Sequence, residues 1–172
     1  MKKALAIVFL ILLGCGYTTR GFLHEGESIF IAPVKNKIKI AKESRKYAGY
    51  VSYPVLIEKR LTNALIEKFQ TDGHLKVTSS EPYDLKLALD ITDYRKETLR
   101  YTDSDDIEEQ RLWLTAFLTL TDNSKNIINR KEIRGEATFF LVGPQQQSEG
   151  FAQNELVSDT ARRILEAVVE EW

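Results

Sequence analysis

The chain has 172 residues, 24 basic and 25 acidic, with a formal net charge of −1 when both histidines are neutral. So even a balance excludes nucleic-acid binding by bulk electrostatics, and a single cysteine excludes an intramolecular disulfide. The length is enough for one domain with a real core, whose stability must come from packing.

Met1, Lys2 and Lys3 precede an apolar run, residues 4–13, that closes on Leu12-Leu13-Gly14-Cys15. The run is too short to cross a bilayer as a mature helix and has no stop-transfer flank, so it reads as a secretory signal. A small residue directly before the one cysteine is the arrangement of a lipoprotein signal. Cleavage there leaves Cys15 as the N-terminus, carrying a covalent diacylglycerol and an amide-linked fatty acid; no other cofactor is expected. Each buried methylene contributes about 0.8 kcal/mol, and more than one chain is needed for a stable anchor. The competing reading is an ordinary secretory signal with an unrelated cysteine beside it. Gly16 stands where an aspartate would mark inner-membrane retention, so the expected address is the periplasmic side of the outer membrane. Residues 1–14 are thus a signal peptide, 15–27 a lipidated tether and 28–172 a single α+β domain. Without the signal, 22 basic residues face 25 acidic ones, a net of about −3.

Residues 28–34, Ser-Ile-Phe-Ile-Ala-Pro-Val, read as a first strand ended by Pro33. Residues 35–53 form a long connection in which a Lys-x-Lys-Ile-Lys-Ile alternation could make a brief edge strand. Lys35, Lys37, Lys39, Lys42, Arg45 and Lys46 crowd it. Pro54 suits the first turn of a helix carrying Ile57, Leu61, Ala64, Leu65 and Phe69 on one face, stopped by Thr71-Asp72-Gly73. A short strand follows at 75–79, then a clean alternation from Asp84 to Ile91 that runs on to Arg100. Asp103, Asp105, Asp106, Glu108 and Glu109 make an acidic loop.

Leu112, Leu114, Ala116, Leu118 and Leu120 alternate again, placing Trp113, Phe117, Thr115, Thr119 and Thr121 on the opposite face. A turn at 122–125 leads to a return strand at 127–142, so the pair is a long hairpin. A last helix spans 150–172, with a stripe of Val157, Ala161, Ile164, Leu165, Val168 and Trp172. The expected fold is α+β: two amphipathic helices on one face of a mostly antiparallel sheet of four to five strands, in the order β-α-β-β-β-β-α. The other face is left partly uncovered.

No catalytic constellation is present. The chain lacks a G-x-S-x-G elbow, a P-loop, a His-Glu-x-x-His motif and a dinucleotide fingerprint. His24 and His74 lie apart and define no metal site. An enzyme is not expected.

Several pieces, in order, carry a resemblance: Cys15-Gly16-Tyr17, Arg20-Gly21, Ile29-Phe30-Ile31-Ala32-Pro33, and residues 57–65, Ile-Glu-Lys-Arg-Leu-Thr-Asn-Ala-Leu. Phe69, Asp72-Gly73, the Val77 strand, Tyr83, Asp84-Leu85-Lys86-Leu87 and a last helix closing on Trp172 continue it. Together they resemble the lipopolysaccharide-assembly lipoprotein family (LptE-type) across essentially the whole mature chain. Residues 35–53 depart from it, being longer and more basic. The resemblance implies a non-enzymatic plug seated in the lumen of a large outer-membrane β-barrel, which it helps assemble and with which it passes lipopolysaccharide to the cell surface. Lipopolysaccharide itself becomes a candidate ligand.

A polyanionic glycolipid calls for basic side chains making charge-assisted hydrogen bonds to phosphates. The candidates are Arg95, Lys96 and Arg100 near one end of the long strand, with Lys125, Arg130 and Lys131 on its neighbours. The basic stretch 35–46 reads as a loop facing anionic headgroups or the barrel wall. Trp113 and Phe117 are expected to be packing residues, against the second helix or the barrel. A different outer-membrane lipoprotein, such as a regulator reaching through the periplasm to a peptidoglycan synthase, is the alternative. Against it, the dozen tether residues span only about 20 Å as a random coil.

Overall fold

The computed structural model describes residues 26–38 and 53–170. The signal peptide, Cys15, the tether as far as residue 25, the basic residues Lys39, Lys42, Arg45 and Lys46, and Trp172 lie outside the described residues. The elements in chain order are β1 (Ser28–Ile31), β2 (Lys35–Asn36), α1 (Ile57–Asp72), β3 (Lys76–Thr78), β4 (Leu85–Tyr101), β5 (Ile107–Asp122), β6 (Ile127–Phe140) and α2 (Glu149–Val169).

The sheet has six strands ordered β3-β1-β4-β5-β6, with β2 also pairing with β4. It is mixed, not mostly antiparallel, which corrects the expectation of four to five strands. β1 lies parallel to both β3 and β4, and β2 is parallel to β4, whereas β4-β5 and β5-β6 are antiparallel. The cause is topological. A strand, a helix and a second strand in one sheet return the chain to its starting end, so β1 and β3 must align parallel across α1. β2 is the brief strand expected in the basic connection. It resumes on the β4 edge just beyond Pro33, which has no N–H to donate to the ladder.

Asp84 secures the crossing at which the chain enters β4. Its carboxylate accepts from the Ser28 backbone N–H at 2.8 Å and from the Ser28 hydroxyl at 2.6 Å. Those hydrogen bonds hold its pKa below the ordinary 3.8.

One face of the sheet is buried under both helices. Ile57, Leu61, Leu65 and Phe69 of α1 and Leu156, Ala161, Ile164 and Val168 of α2 meet the alternating leucines of β4 and β5. Gly73, at φ 78, closes α1 by donating its N–H to Phe69 O. Ser148 caps α2 by accepting from the N–H of Phe151 at 3.2 Å. α2 presses close on the edge strand: a methyl group at Gly135 would come within 2.0 Å of Thr160 Oγ1 and 2.9 Å of its Cα. Beside that contact, Asp159 accepts from the free-edge N–H of Glu136 at 3.0 Å and pairs with Arg162 and Arg163.

Three irregularities interrupt the β4-β5 ladder, between Ile91 and Asp93, between Thr98 and Arg100, and between Arg100 and Tyr101. The first inserts Thr92 and reverses the phase of alternation. Leu85, Leu87, Leu89 and Ile91 face the helices before it, and Tyr94 does so after it.

Candidate functional site

The uncovered face of the sheet is where the functional side chains gather. On β5 the pleat turns Arg111, Trp113, Thr115, Phe117 and Thr119 away from the helices, because their neighbours Leu112, Leu114, Ala116 and Leu118 are fully buried beneath them. The bulge at Thr92 brings Asp93, Arg95 and Glu97 of β4 to the same face, opposite Thr115, Trp113 and Arg111. On the other side, β6 sets Arg130, Arg134, Glu136 and Thr138 opposite Thr119, Thr115, Trp113 and Arg111.

Guanidinium groups lie over aromatic rings along this face. Arg111 and Arg134 sit 5.2 Å and 5.4 Å from the centroid of Trp113, and Arg130 sits 5.0 Å from that of Phe117. Each stack contributes about 0.5–1 kcal/mol at an exposed site. Glu97 accepts from Trp113 Nε1 at 3.3 Å, and Arg111 Nε donates to Thr138 Oγ1 at 3.4 Å. Among the described residues, Arg111, Arg130 and Arg134 form no ion pair. The rings hold the three guanidiniums in place, and apart from the Arg111 Nε–H given to Thr138 their N–H groups face an incoming acceptor. A shallow hollow of about 390 Å³ opens beside Trp113, lined by Asp93, Arg95, Glu97, Thr115 and Arg134 among others.

A second hollow, about 870 Å³, lies where β4 begins and β5 ends, with Tyr83, Lys86, Asn123 and Lys125 among its lining residues. Tyr83 stacks on Phe30 at 5.3 Å, and Lys86 lies 6.0 Å from the Phe30 ring. Asp122 on its rim is held by the backbone and side-chain N–H groups of Asn126, which lower its pKa from 3.8.

The six basic residues selected from sequence scatter. Arg95 reaches the bare face, paired with Asp93 at 2.6 Å, and Arg130 is there over Phe117. Lys125 is in the turn at the edge of the second hollow, at φ 66. Lys96 points to the helix side, 22% exposed, with Nζ 2.5 Å from Glu149 of α2. Lys131 pairs with the inward-facing Leu118 and lies exposed at the rim of the helix side. Arg100 stands apart between Glu108 and Glu109, at 3.9 Å and 3.5 Å. Trp113 and Phe117 face away from α2, which rules out packing against the second helix. Thr115 faces outward as expected, yet its neighbours leave it only 6% exposed.

Arg111 and Arg134 were not singled out from sequence. The Arg-x-Trp spacing of 111 and 113 places both on one side of a strand and was a usable signal. Arg134 reaches the same ring only through the β5-β6 register, which no local pattern carries.

Two helices on one face of a mixed sheet, with the opposite face bare and lined by arginines interleaved with carboxylates such as Glu97 and Glu132, define an open-faced α+β sandwich. Residues 36–169 match the lipopolysaccharide-assembly (LptE) family. The chain belongs to that family. Among curated proteins, no sequence matches it. Of solved structures, the protein CT253 from Chlamydia trachomatis is similar with a TM-score of 0.54 at 9% identity, over 83% of this chain and 97% of that one. XCC0632 from Xanthomonas campestris gives 0.51 at 11% identity, over 84% and 82%. Lipoprotein B from Nitrosomonas europaea gives 0.49 at 16% identity, over 87% and 88%. The first two show a shared fold. Among the described residues, no helix is long and apolar enough to cross a membrane, and no three potential metal ligands come together.

Proposed function

We propose that this chain is a non-enzymatic outer-membrane lipoprotein, anchored on the periplasmic side through Cys15, whose domain plugs a large β-barrel and helps it assemble and deliver lipopolysaccharide to the cell surface. Membership of the lipopolysaccharide-assembly family supports the process. The observation that carries the molecular role is the bare sheet face, with three guanidiniums stacked on rings and, among the described residues, in no ion pair. The lumen of a large barrel is polar and wet, so a plug must meet it with hydrogen-bonding groups and not with an apolar patch. Arginines, threonines and the Glu97-Trp113 bond provide that surface.

The same guanidiniums suit phosphate oxygens, since a planar fork donates two N–H groups to one anion. Arg95, Arg130 and Lys125 therefore remain ligand candidates on or beside this face, joined by Arg111 and Arg134. Lys96, Lys131 and Arg100 would act from other surfaces, and only by leaving the partners or positions they hold here.

Co-purification from detergent tests the reading. The tagged full chain should bring down a heat-modifiable barrel in one-to-one ratio, and replacing Arg111, Trp113 and Arg134 together by alanine should release it while the domain stays folded. Recovery of a soluble synthase instead, or of no barrel, would overturn the proposal. Displacement of bound lipopolysaccharide should weaken in the same triple variant.

A further inference from the structure

β4 and β5 run on past the core. Tyr94 is the last buried residue of β4 and Leu112 the first of β5, and none of residues 95–111 between them is buried. β6 accompanies β5 as far as Glu109, so only the Tyr101-Ile107 pair and the turn at 102–106 form a two-stranded ribbon end. A ribbon of two strands has no interior and is only marginally stable alone. This one, with Leu99 just before it, nevertheless exposes large apolar side chains: Leu99 at 38%, Tyr101 at 59% and Ile107 at 37%. Tyr101 pairs directly with Ile107, and the Leu141 N–H donates to Glu108 O, which brings the 40% exposed Val142 beside them.

Charge surrounds this patch on one sign only. Residues 99–109 hold five carboxylates (Asp103, Asp105, Asp106, Glu108 and Glu109) against Arg100 alone. Arg100 is already engaged by two of them. The tip is preformed: Thr102 Oγ1 accepts from the N–H groups of Ser104 and Asp106, and Thr102 N donates to Asp106 O at 2.8 Å. Such a surface repels phosphates and anionic lipid. It is not a cation cage either, since no three of its carboxylates converge.

We infer that the ribbon end, with Leu99, Tyr101, Ile107 and Val142 at its centre and carboxylates around them, is a docking surface for a protein segment that combines basic and apolar side chains. Apolar contact supplies the affinity and the carboxylates select a cationic partner and speed its approach. A preordered tip loses little conformational freedom on binding. This patch lies further along the strands than Trp113 and uses none of the guanidiniums stacked on the bare face, so the inference stands without the plug reading. The chain's own basic residues at 39–52 are a competing occupant, because Lys37 donates to Ile91 O and Tyr53 packs on Tyr94 where β4 leaves the core.

The test uses the intact mature chain and two synthetic octapeptides of equal charge, one alternating lysine with valine and one alternating lysine with serine. The valine peptide should bind at least ten-fold tighter, with amide shifts confined to the ribbon and residues 141–142. Tyr101→Ser with Ile107→Ser should reduce it to the level of the serine peptide; Leu99→Ser with Val142→Ser is the second pair should the first misfold. Equal binding of the two peptides, shifts mapping elsewhere, or no response to either serine pair would overturn the inference. So would a ten-fold gain in affinity when Lys39, Lys42, Arg45 and Lys46 are replaced by serine, since the chain would then cover the ribbon itself.

Discussion

The two faces of β5 are built from alternate residues of one strand yet are held by different forces. Leu112, Leu114, Ala116, Leu118 and Leu120 are removed from water by the helices. Arg111, Trp113 and Phe117 on the reverse are ordered by one another, by Arg130 and Arg134, and by hydrogen bonds to Glu97 and Thr138. Burial of each leucine stabilises the fold by about 1.5–3 kcal/mol, whereas the outer stacks contribute well under that. Stability therefore resides on one face, and the proposed recognition on the other. Substitutions on the first should unfold the protein, and substitutions on the second should disarm it.

The largest effect is expected at the inner face. Phe139→Ala, at a fully buried side chain of β6, should cost about 3–5 kcal/mol by calorimetry, lowering Tm by roughly 10 °C or more. An undiminished Tm would remove the helix-covered face as the source of stability. Gly135→Ala comes next: its new methyl group meets the Thr160 backbone as well as its hydroxyl, so α2 must shift, at about 3 kcal/mol in a denaturant titration.

Asp159 joins the two layers and should come third. Burial raises its pKa, but the Glu136 N–H and the Arg162 and Arg163 side chains outweigh that and leave it lowered from 3.8. A folded value below the unfolded one means this contribution is complete above about pH 4 and is lost as pH falls through the folded value. Asp159→Asn should therefore flatten the loss of stability between pH 5 and pH 2, and an unchanged profile would assign acid sensitivity elsewhere. Asp159→Ala should cost about 1.5–3 kcal/mol at neutral pH. The smallest stability effect is expected for Trp113→Ala, about 1 kcal/mol by chemical denaturation, from its two cation–π contacts. A loss there as large as that of Phe139→Ala would erase the distinction between the faces.

The contrast also marks what a sequence carries. The period-two alternation of residues 112–120 and the helical spacing of 57–69 exposed both elements and their buried faces, because burial acts residue by residue on a fixed period. The order of elements was legible too, with β2 foreseen as a brief edge strand in the basic connection. Strand direction was not, since parallel pairing of β1 with β3 and β4 depends on which strands meet. The bulge at Thr92 was equally hidden. Alternation alone parts Arg95 from Lys96, but the bulge decides the sides, sending Arg95 to the bare face and Lys96 to Glu149 on α2. For the same reason the arginine pair at Trp113 was half visible: Arg111 lies two residues away in sequence, and Arg134 only across the hairpin.

Photo-cross-linking in intact cells tests the recognition face most directly. Photoreactive residues at positions 113, 117 and 134 on the bare face should form adducts with a large heat-modifiable barrel, while the same groups at 162 and 166 on α2 should not. Adducts from the α2 positions alone, or none with a barrel from any position, would contradict the account.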